Sequence, residues 1–446
     1  METLELLKSG RLKGQTSLTL SAGLSEFPRE ILTLADSLEF LNLSDNRLSE
    51  LPDDFWRLKK LKIVFFNANA FEVFPDVLAK CPALSMASFK NNQIKTVNRL
   101  AKTIRWLILT NNRLDRLPPE VGRLSGLQKL MLAGNQLQSL PEELSQCDRL
   151  ELIRLSANQL ESLPSSLLNL PRLSWLAYAG NPFCSGSRAE MGELVGDRSS
   201  ALRDIDECEL TFGEVLGEGA SGVIYKGVWQ TAGVSKTVAI KLFKGEMTSD
   251  GSPLDEMRAC IAAGAHPNLV SVLGKLRTKG KAGLVFSFIP SEYRNLGSPP
   301  SLESCTRDTY AAETRFSLPV VLKVARGVAA AAAHLHARGM MHGDLYAHNI
   351  LIGSDGTSLL GDFGAASFYD VGSASGRRLQ QLEVRAFGCL LEDLLVRCRF
   401  DKSDLALQRQ VDVLADLQTG CMDKAVEKRP LFAEISERLS GVDFSE

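Results

Sequence analysis

Residues 127–137 read Leu-Gln-Lys-Leu-Met-Leu-Ala-Gly-Asn-Gln-Leu, and this LxxLxLxxNxL frame decides the architecture of the N-terminal half. Its asparagine, Asn135, has counterparts at Asn46, Asn69, Asn92, Asn112, Asn158 and Asn181, so the steps are 23, 23, 20, 23, 23 and 23 residues. The apolar frame travels with it, for example Leu38, Leu41, Leu43; Leu84, Ala87, Phe89; and Leu173, Leu176, Tyr178. A fixed period of this size marks stacked units that bury a continuous core only against one another. Alternation around each LxL turns the leucines inward on a short strand and leaves the flanking residues on the opposite, concave face. Leu51-Pro52, Phe74-Pro75, Leu117-Pro118, Leu140-Pro141 and Leu163-Pro164 suit the return path, where a missing N–H costs nothing. The 20-residue step lacks such a pair, which predicts an irregularity near Val97–Lys102.

Seven registered copies resemble a leucine-rich-repeat domain, with a weaker copy around Leu18 and Leu20 as its N-terminal cap. On the concave face Phe40, Phe65, Met86, Trp106, Met131 and Trp175 form an apolar stripe. Such a stripe either docks a protein partner or is covered by the repeats and the second domain. The expected boundaries are repeats over 1–184, a cap and linker over 185–206, and a second domain over 207–441.

Composition narrows the functions open to the 446 residues. With 51 basic and 53 acidic residues the net charge is −2, which disfavours a bulk nucleic-acid binder. With 44% hydrophobic and 23% charged residues, the chain is expected to fold rather than stay disordered. Nine scattered cysteines with no CxxC pair suit a reducing compartment, so the expectation is a cytoplasmic protein without disulfides or structural zinc. No apolar stretch approaches the roughly 18 residues of a membrane span, and no secretory leader is expected.

The C-terminal half opens on Leu216-Gly217-Glu218-Gly219-Ala220-Ser221-Gly222-Val223, followed by Val238-Ala239-Ile240-Lys241. Apolar alternation through Val223 and Tyr225 predicts strand, glycine turn, strand, whereas a dinucleotide fold needs a helix after its glycines. A helix is expected over Leu254–Ala263, placing Glu256 to pair with Lys241. Then come His342-Gly343-Asp344, Asn349 five residues beyond the aspartate, and Gly361-Asp362-Phe363-Gly364.

As an ordered set these motifs resemble the eukaryotic-like protein kinase family over about residues 207 to 441. The resemblance implies an α/β leucine-rich-repeat solenoid joined to an α+β two-lobed kinase-like domain. It implies that Leu216 through Val223, with Ala239 and Phe288, contact ATP, and that Lys241, clamped by Glu256, holds its phosphates. Asp344 would accept the substrate proton, while Asn349 and Asp362 would hold magnesium. The implied function is phosphate transfer to a protein serine or threonine, with the repeats recruiting substrate or regulator. The rival readings are a nucleotide-binding scaffold without catalysis and a phosphotransferase for a small hydroxylated molecule.

Departures from the family pattern set the remaining expectations. Gly343 stands where an arginine usually precedes the catalytic aspartate, so no control through a phosphate on that arginine is expected. Tyr346 replaces the usual lysine, and His348 lies two residues beyond it. The HGD form is similar to that of the aminoglycoside phosphotransferases. The stretch after Gly364 is short and has no APE motif, Glu383 takes the place of an aspartate on a helix expected over Gln380–Val396, and Lys428-Arg429-Pro430 matches a late arginine motif. Ser367, Tyr369, Ser373 and Ser375 are candidate autophosphorylation sites, and 290–314 is expected to be a surface insertion.

Overall fold

A computed structural model describes residues 2–184, 202–231, 233–245, 247–278, 280 and 282–441, so most of the expected cap and linker lies outside the described residues. The chain divides into two compact units, Met1–Arg172 and Leu173–Glu446. The division falls ahead of the sequence boundary at 184 and assigns the last repeat strand to the second unit.

In the first unit a short helix α1 (Glu2–Lys8) precedes seven parallel strands: β1 (Ser17–Thr19), β2 (Phe40–Asn42), β3 (Ile63–Phe65), β4 (Met86–Ser88), β5 (Trp106–Ile108), β6 (Lys129–Met131) and β7 (Leu152–Arg154). Each pairs with the next in register, as in Leu41 opposite Val64 and Leu107 opposite Leu130. The central residue of every strand is buried, as the alternation predicts. Prolines 28, 75, 118 and 141 immediately precede 3-10 turns on the return side, and Pro164 precedes α2 (Ser165–Leu168). The repeat without the proline pair carries no such turn between β4 and β5, so the expected irregularity is present.

The asparagines explain why the period is so strict. Asn112 accepts from the Ile94 amide at 2.9 Å and donates to the Phe89 and Leu109 carbonyls at 2.9 and 3.0 Å. One amide side chain thus satisfies backbone groups of neighbouring turns that would otherwise be buried unpaired. The residue just before each asparagine takes a left-handed conformation, with φ between 50° and 77° at Asp45, Ala68, Asn91, Asn111, Gly134, Ala157 and Gly180. Asn112→Ala should lower stability by about 3 kcal/mol, since each stranded buried group costs ~1–3 kcal/mol. A fall in the urea midpoint of the repeat transition checks this.

The apolar stripe needs correction. Phe40, Phe65 and Trp106 are partly exposed, with Phe40 and Phe65 rings 5.6 Å apart and the Lys129 ammonium 4.2 Å from the Trp106 ring. Met86, Met131 and Trp175 are buried at 4%, 7% and 1% exposure, so they offer no surface to a partner. Strand alternation fixes which way a side chain leaves the sheet, and it carries no information on what covers it.

The second unit begins with β8 (Trp175–Ala177), after which β9 (Arg203–Asp206), β10 (Leu210–Glu218), β11 (Gly222–Thr231), β12 (Val234–Phe243), β13 (Val272–Arg277) and β14 (Ala282–Ser287) form a sheet in the order β10-β11-β12-β14-β13-β9. Its pairs are antiparallel except β13 with β9. Helix α3 (Pro253–Ala263) starts at Ser252, whose hydroxyl accepts from the Leu254 amide, with Pro253 at the first turn.

The rest of the unit is mostly helical. α4 (Leu318–His336), α5 (Ala374–Arg397), α6 (Leu405–Cys421) and α7 (Phe432–Ser440) pack together. The expectation that no stretch approaches a membrane span needs correction: among the described residues α4 alone is long and apolar enough to cross a membrane, and 61% of its apolar window is buried inside the protein. α5 starts at Ala374, earlier than the expected Gln380, because Ser373 caps it by accepting from the Gly376 amide at 2.9 Å. Short strands complete the unit: β15 (Arg294–Asn295), β18 (Ile350–Ile352) and β19 (Ser358–Leu360) in one sheet, and the pairs β16 (Phe316–Ser317) with β21 (Cys398–Arg399) and β17 (Met340–Met341) with β20 (Ser367–Phe368).

Candidate active site

The sheet and the helical part meet around a cavity of about 530 Å³. That size suits a small-molecule ligand. Leu216, Ala239, Lys241, Glu256, Phe288, Asn349 and Asp362, seven of the residues expected at the site, line it. Leu216 to Glu218 end β10, Gly219 to Ser221 make the turn, and Gly222 and Val223 begin β11. The Gly219 amide donates to the Gly222 carbonyl at 2.9 Å, closing the turn. A Cβ on Gly222 would fall 2.5 Å from the Leu242 carbonyl oxygen, so that position admits only glycine, whereas Gly217 and Gly219 face open space. The turn is tied to the next strand by Lys244, whose ammonium lies 2.7 Å from Glu218.

Lys241 forms an ion pair with Glu256, as the spacing of strand and helix predicts, and the two are 13% and 3% exposed. Burial works against the Lys241 charge, but Glu256 and then Asp362 outweigh it and hold the ammonium above its usual range. The cavity therefore presents a fixed cation on its sheet side. Facing it, Asp362 has a left-handed φ of 57° and accepts from the Gly364 amide at 3.2 Å.

Asp344 sits in the segment between β17 and β18. Its carboxylate accepts from the Asn349 side-chain amide at 2.9 Å, and the same amide donates to the Asp344 carbonyl, so the loop closes on itself. The His342 ring reaches the Gly361 carbonyl at 2.9 Å, linking this loop to the Asp362 turn. Glu383 on α5 anchors the loop from below: it accepts from the His342 amide at 3.0 Å, from the Gly343 amide, and meets the His336 ring at 2.7 Å. Burial alone would raise the Glu383 carboxyl, yet His336 and the Gly343 amide bring it below its ordinary value.

One residue near the site, Asp308, went unread in the sequence. The segment expected as a surface insertion is largely exposed, and one side of it also lies against the loop that carries Asp344. Arg294 and Asn295 pair with Ile352 and Leu351, and Asp308 accepts from the Ala347 amide and meets His348 Nδ1 at 2.6 Å. No local pattern marks Asp308, because its partners lie about forty residues downstream. Of the candidate phosphorylation sites, Ser367 is fully buried and Tyr369 is 7% exposed. Arg429 is also buried and bonds to the Asp423 and Gln381 carbonyls at 2.9 and 3.2 Å.

Residues 210–386 match the protein tyrosine and serine/threonine kinase family model, and 102–160 and 37–58 match leucine-rich-repeat models. The chain joins leucine-rich repeats to a protein-kinase domain. Among similar curated proteins is a Dictyostelium discoideum protein called "Probable LIM domain-containing serine/threonine-protein kinase", 25% identical over 57% of this chain and 42% of its own length. Another is an Arabidopsis thaliana "Probable L-type lectin-domain containing receptor kinase", 31% identical over 36% of this chain and 23% of its own. The chain thus spans less than half the length of these relatives. A solved leucine-rich-repeat protein of Leptospira interrogans is 31% identical with a TM-score of 0.38, covering 40% of this chain and 46% of that one. In the kinase domain the match covers the glycine loop, the ion pair, the Asp344 loop and the Asp362 turn.

Proposed function

We propose that the chain is a protein kinase that moves the γ-phosphate of ATP to a serine or threonine hydroxyl of a protein. The observation that carries this reading is convergence: Lys241, Glu256, Asn349 and Asp362 line one cavity, and Asn349 hydrogen-bonds the Asp344 carboxylate. A noncatalytic scaffold has no use for this full set.

The residues divide the work. Lys241 supplies a fixed positive charge to the phosphates, and the glycine turn lets backbone close over them without side-chain clash. Asp344 accepts the hydroxyl proton as that oxygen bonds to the γ-phosphorus, while the bond to the β-side oxygen breaks and ADP leaves. Asn349 orients the Asp344 carboxylate. Asp362 and the Asn349 amide oxygen are hard donors of the kind magnesium takes, and the ion would neutralise charge on the phosphates.

The repeats would recruit a protein through the partly exposed residues Phe40, Phe65 and Trp106. All nine cysteines are free thiols, most of them buried, which supports a reducing, cytoplasmic setting.

The test supplies ATP labelled at the γ-position to the full chain with magnesium, offering a generic protein acceptor beside a panel of small hydroxylated acceptors. Label on protein serine or threonine is expected. Label on a small acceptor alone would replace this reading with a small-molecule phosphotransferase, and binding of ATP without transfer would replace it with a scaffold.

A further inference from the structure

Gly343, where the pattern has an arginine, is more than a missing charge. Its φ is 73°, and a Cβ there would lie 2.4 Å from the Ala365 carbonyl oxygen and 2.8 Å from the Leu176 carbonyl oxygen. The space a side chain would need is filled by the backbone of β8, the last repeat strand. Only glycine satisfies both the left-handed backbone and this close approach.

Strand β8 grips the catalytic segment at two places. The Trp175 ring lies flat on Tyr346, centroids 4.3 Å apart and planes 5° apart, and its Nε1 donates to the Leu345 carbonyl at 3.2 Å. Leu345 and Tyr346 directly follow Asp344. On the other side, the Tyr178 amide donates to Ser367 Oγ at 3.0 Å and its hydroxyl donates to the Phe368 carbonyl at 3.1 Å. Those residues follow the Asp362–Gly364 turn. Arg385 on α5 holds the strand itself by donating to Ser174 Oγ at 2.8 Å. The two chain segments that carry Asp344 and Asp362 are therefore stapled by one strand.

We propose that Trp175 is a positioning residue for phosphate transfer: the terminal repeat strand sets the Asp344 loop and the segment after Gly364, and so replaces a clamp formed by activation-segment phosphate. Ser367 and Tyr369, the two candidate sites next to the staple, are buried and closed to a kinase, whereas Ser373 and Ser375, which are partly exposed and exposed, make no contact with it. This inference rests on the kinase reading above.

The test uses the full chain. Trp175→Ala should lower kcat by about 100-fold, the cost of a shift near 1 Å in a reacting group, with ATP affinity and KM for ATP nearly unchanged. Trp175→Phe, which keeps the stack and loses the hydrogen bond, should recover much of the rate. Phosphatase treatment of the wild type should leave the rate unaltered. Amide exchange at Gly343–Tyr346 should speed up in Trp175→Ala while that of β12 stays slow. If Trp175→Ala proves unstable, Tyr178→Phe, which deletes one hydroxyl, should still lower kcat. A wild-type or raised kcat in a folded Trp175→Ala protein overturns the proposal, a raised one meaning that the strand covers the site. Loss of wild-type activity on phosphatase treatment also overturns it. If the wild type moves no phosphate, the kinase reading fails, and unchanged amide exchange in Trp175→Ala then sinks the staple separately.

Discussion

Lys241→Met should reduce phosphate transfer by about 100- to 1,000-fold, the range seen when one preorganised electrostatic group is removed from an active site. The same change should cost stability, because Glu256, 3% exposed, would lose its cation. An uncompensated buried charge costs about 3–5 kcal/mol. The two effects separate in the double variant Lys241→Met with Glu256→Gln. It should regain most of the stability, since no charge is left buried, and none of the activity. Thermal unfolding read beside the transfer rate distinguishes these outcomes. Recovery of both would mean that Lys241 serves packing alone.

Glu383→Gln should damage both stability and activity although the residue lies outside the cavity. The carboxylate is fully buried and receives the His342 amide, the Gly343 amide and His336. A glutamine has one acceptor oxygen and turns a donor toward one of those groups, so a loss of about 3 kcal/mol is expected. The pH dependence follows from the depressed pKa of this carboxyl in the folded chain. Its stabilisation is fully present above the ordinary value of 4.5 and is lost as pH falls through the lower folded value. The stability gap between wild type and Glu383→Gln should therefore narrow below about pH 4.5, as urea midpoints along a pH series would record. A gap that widens in acid would contradict the assignment of a charged Glu383. Activity should fall with stability, because the two backbone amides it holds lead directly into Asp344.

The repeat array was legible because its signal is local and repeated: every asparagine solves the same hydrogen-bonding problem in the same register. The kinase constellation was legible because phosphate chemistry demands particular residue types, and motif order places them. Glu256 was located from helix spacing, and Glu383 from its place on the following helix.

Contacts between distant segments were not legible. Trp175 reads as one more residue of a concave stripe, yet it is buried by a ring 171 positions downstream. Asp308 lies in a segment rich in serine, proline and charge, which local composition assigns to the surface. Its role depends on Ala347 and His348 meeting it in space. Gly343 looked like a lost arginine, and only the closeness of the Leu176 carbonyl shows what the glycine admits.

The central claim is that Asp344 drives phosphate transfer to protein. It is tested most directly by incubating wild type and Asp344→Asn with γ-labelled ATP and magnesium and following label on protein. Asparagine preserves the shape of the side chain and its contact with Asn349 while removing the base, a change worth about 10²- to 10⁴-fold. The account predicts label on serine or threonine with wild type, near-background label with the variant, and equal ATP binding by both. Equal labelling by the two proteins, or none from a wild type that binds ATP, would contradict it.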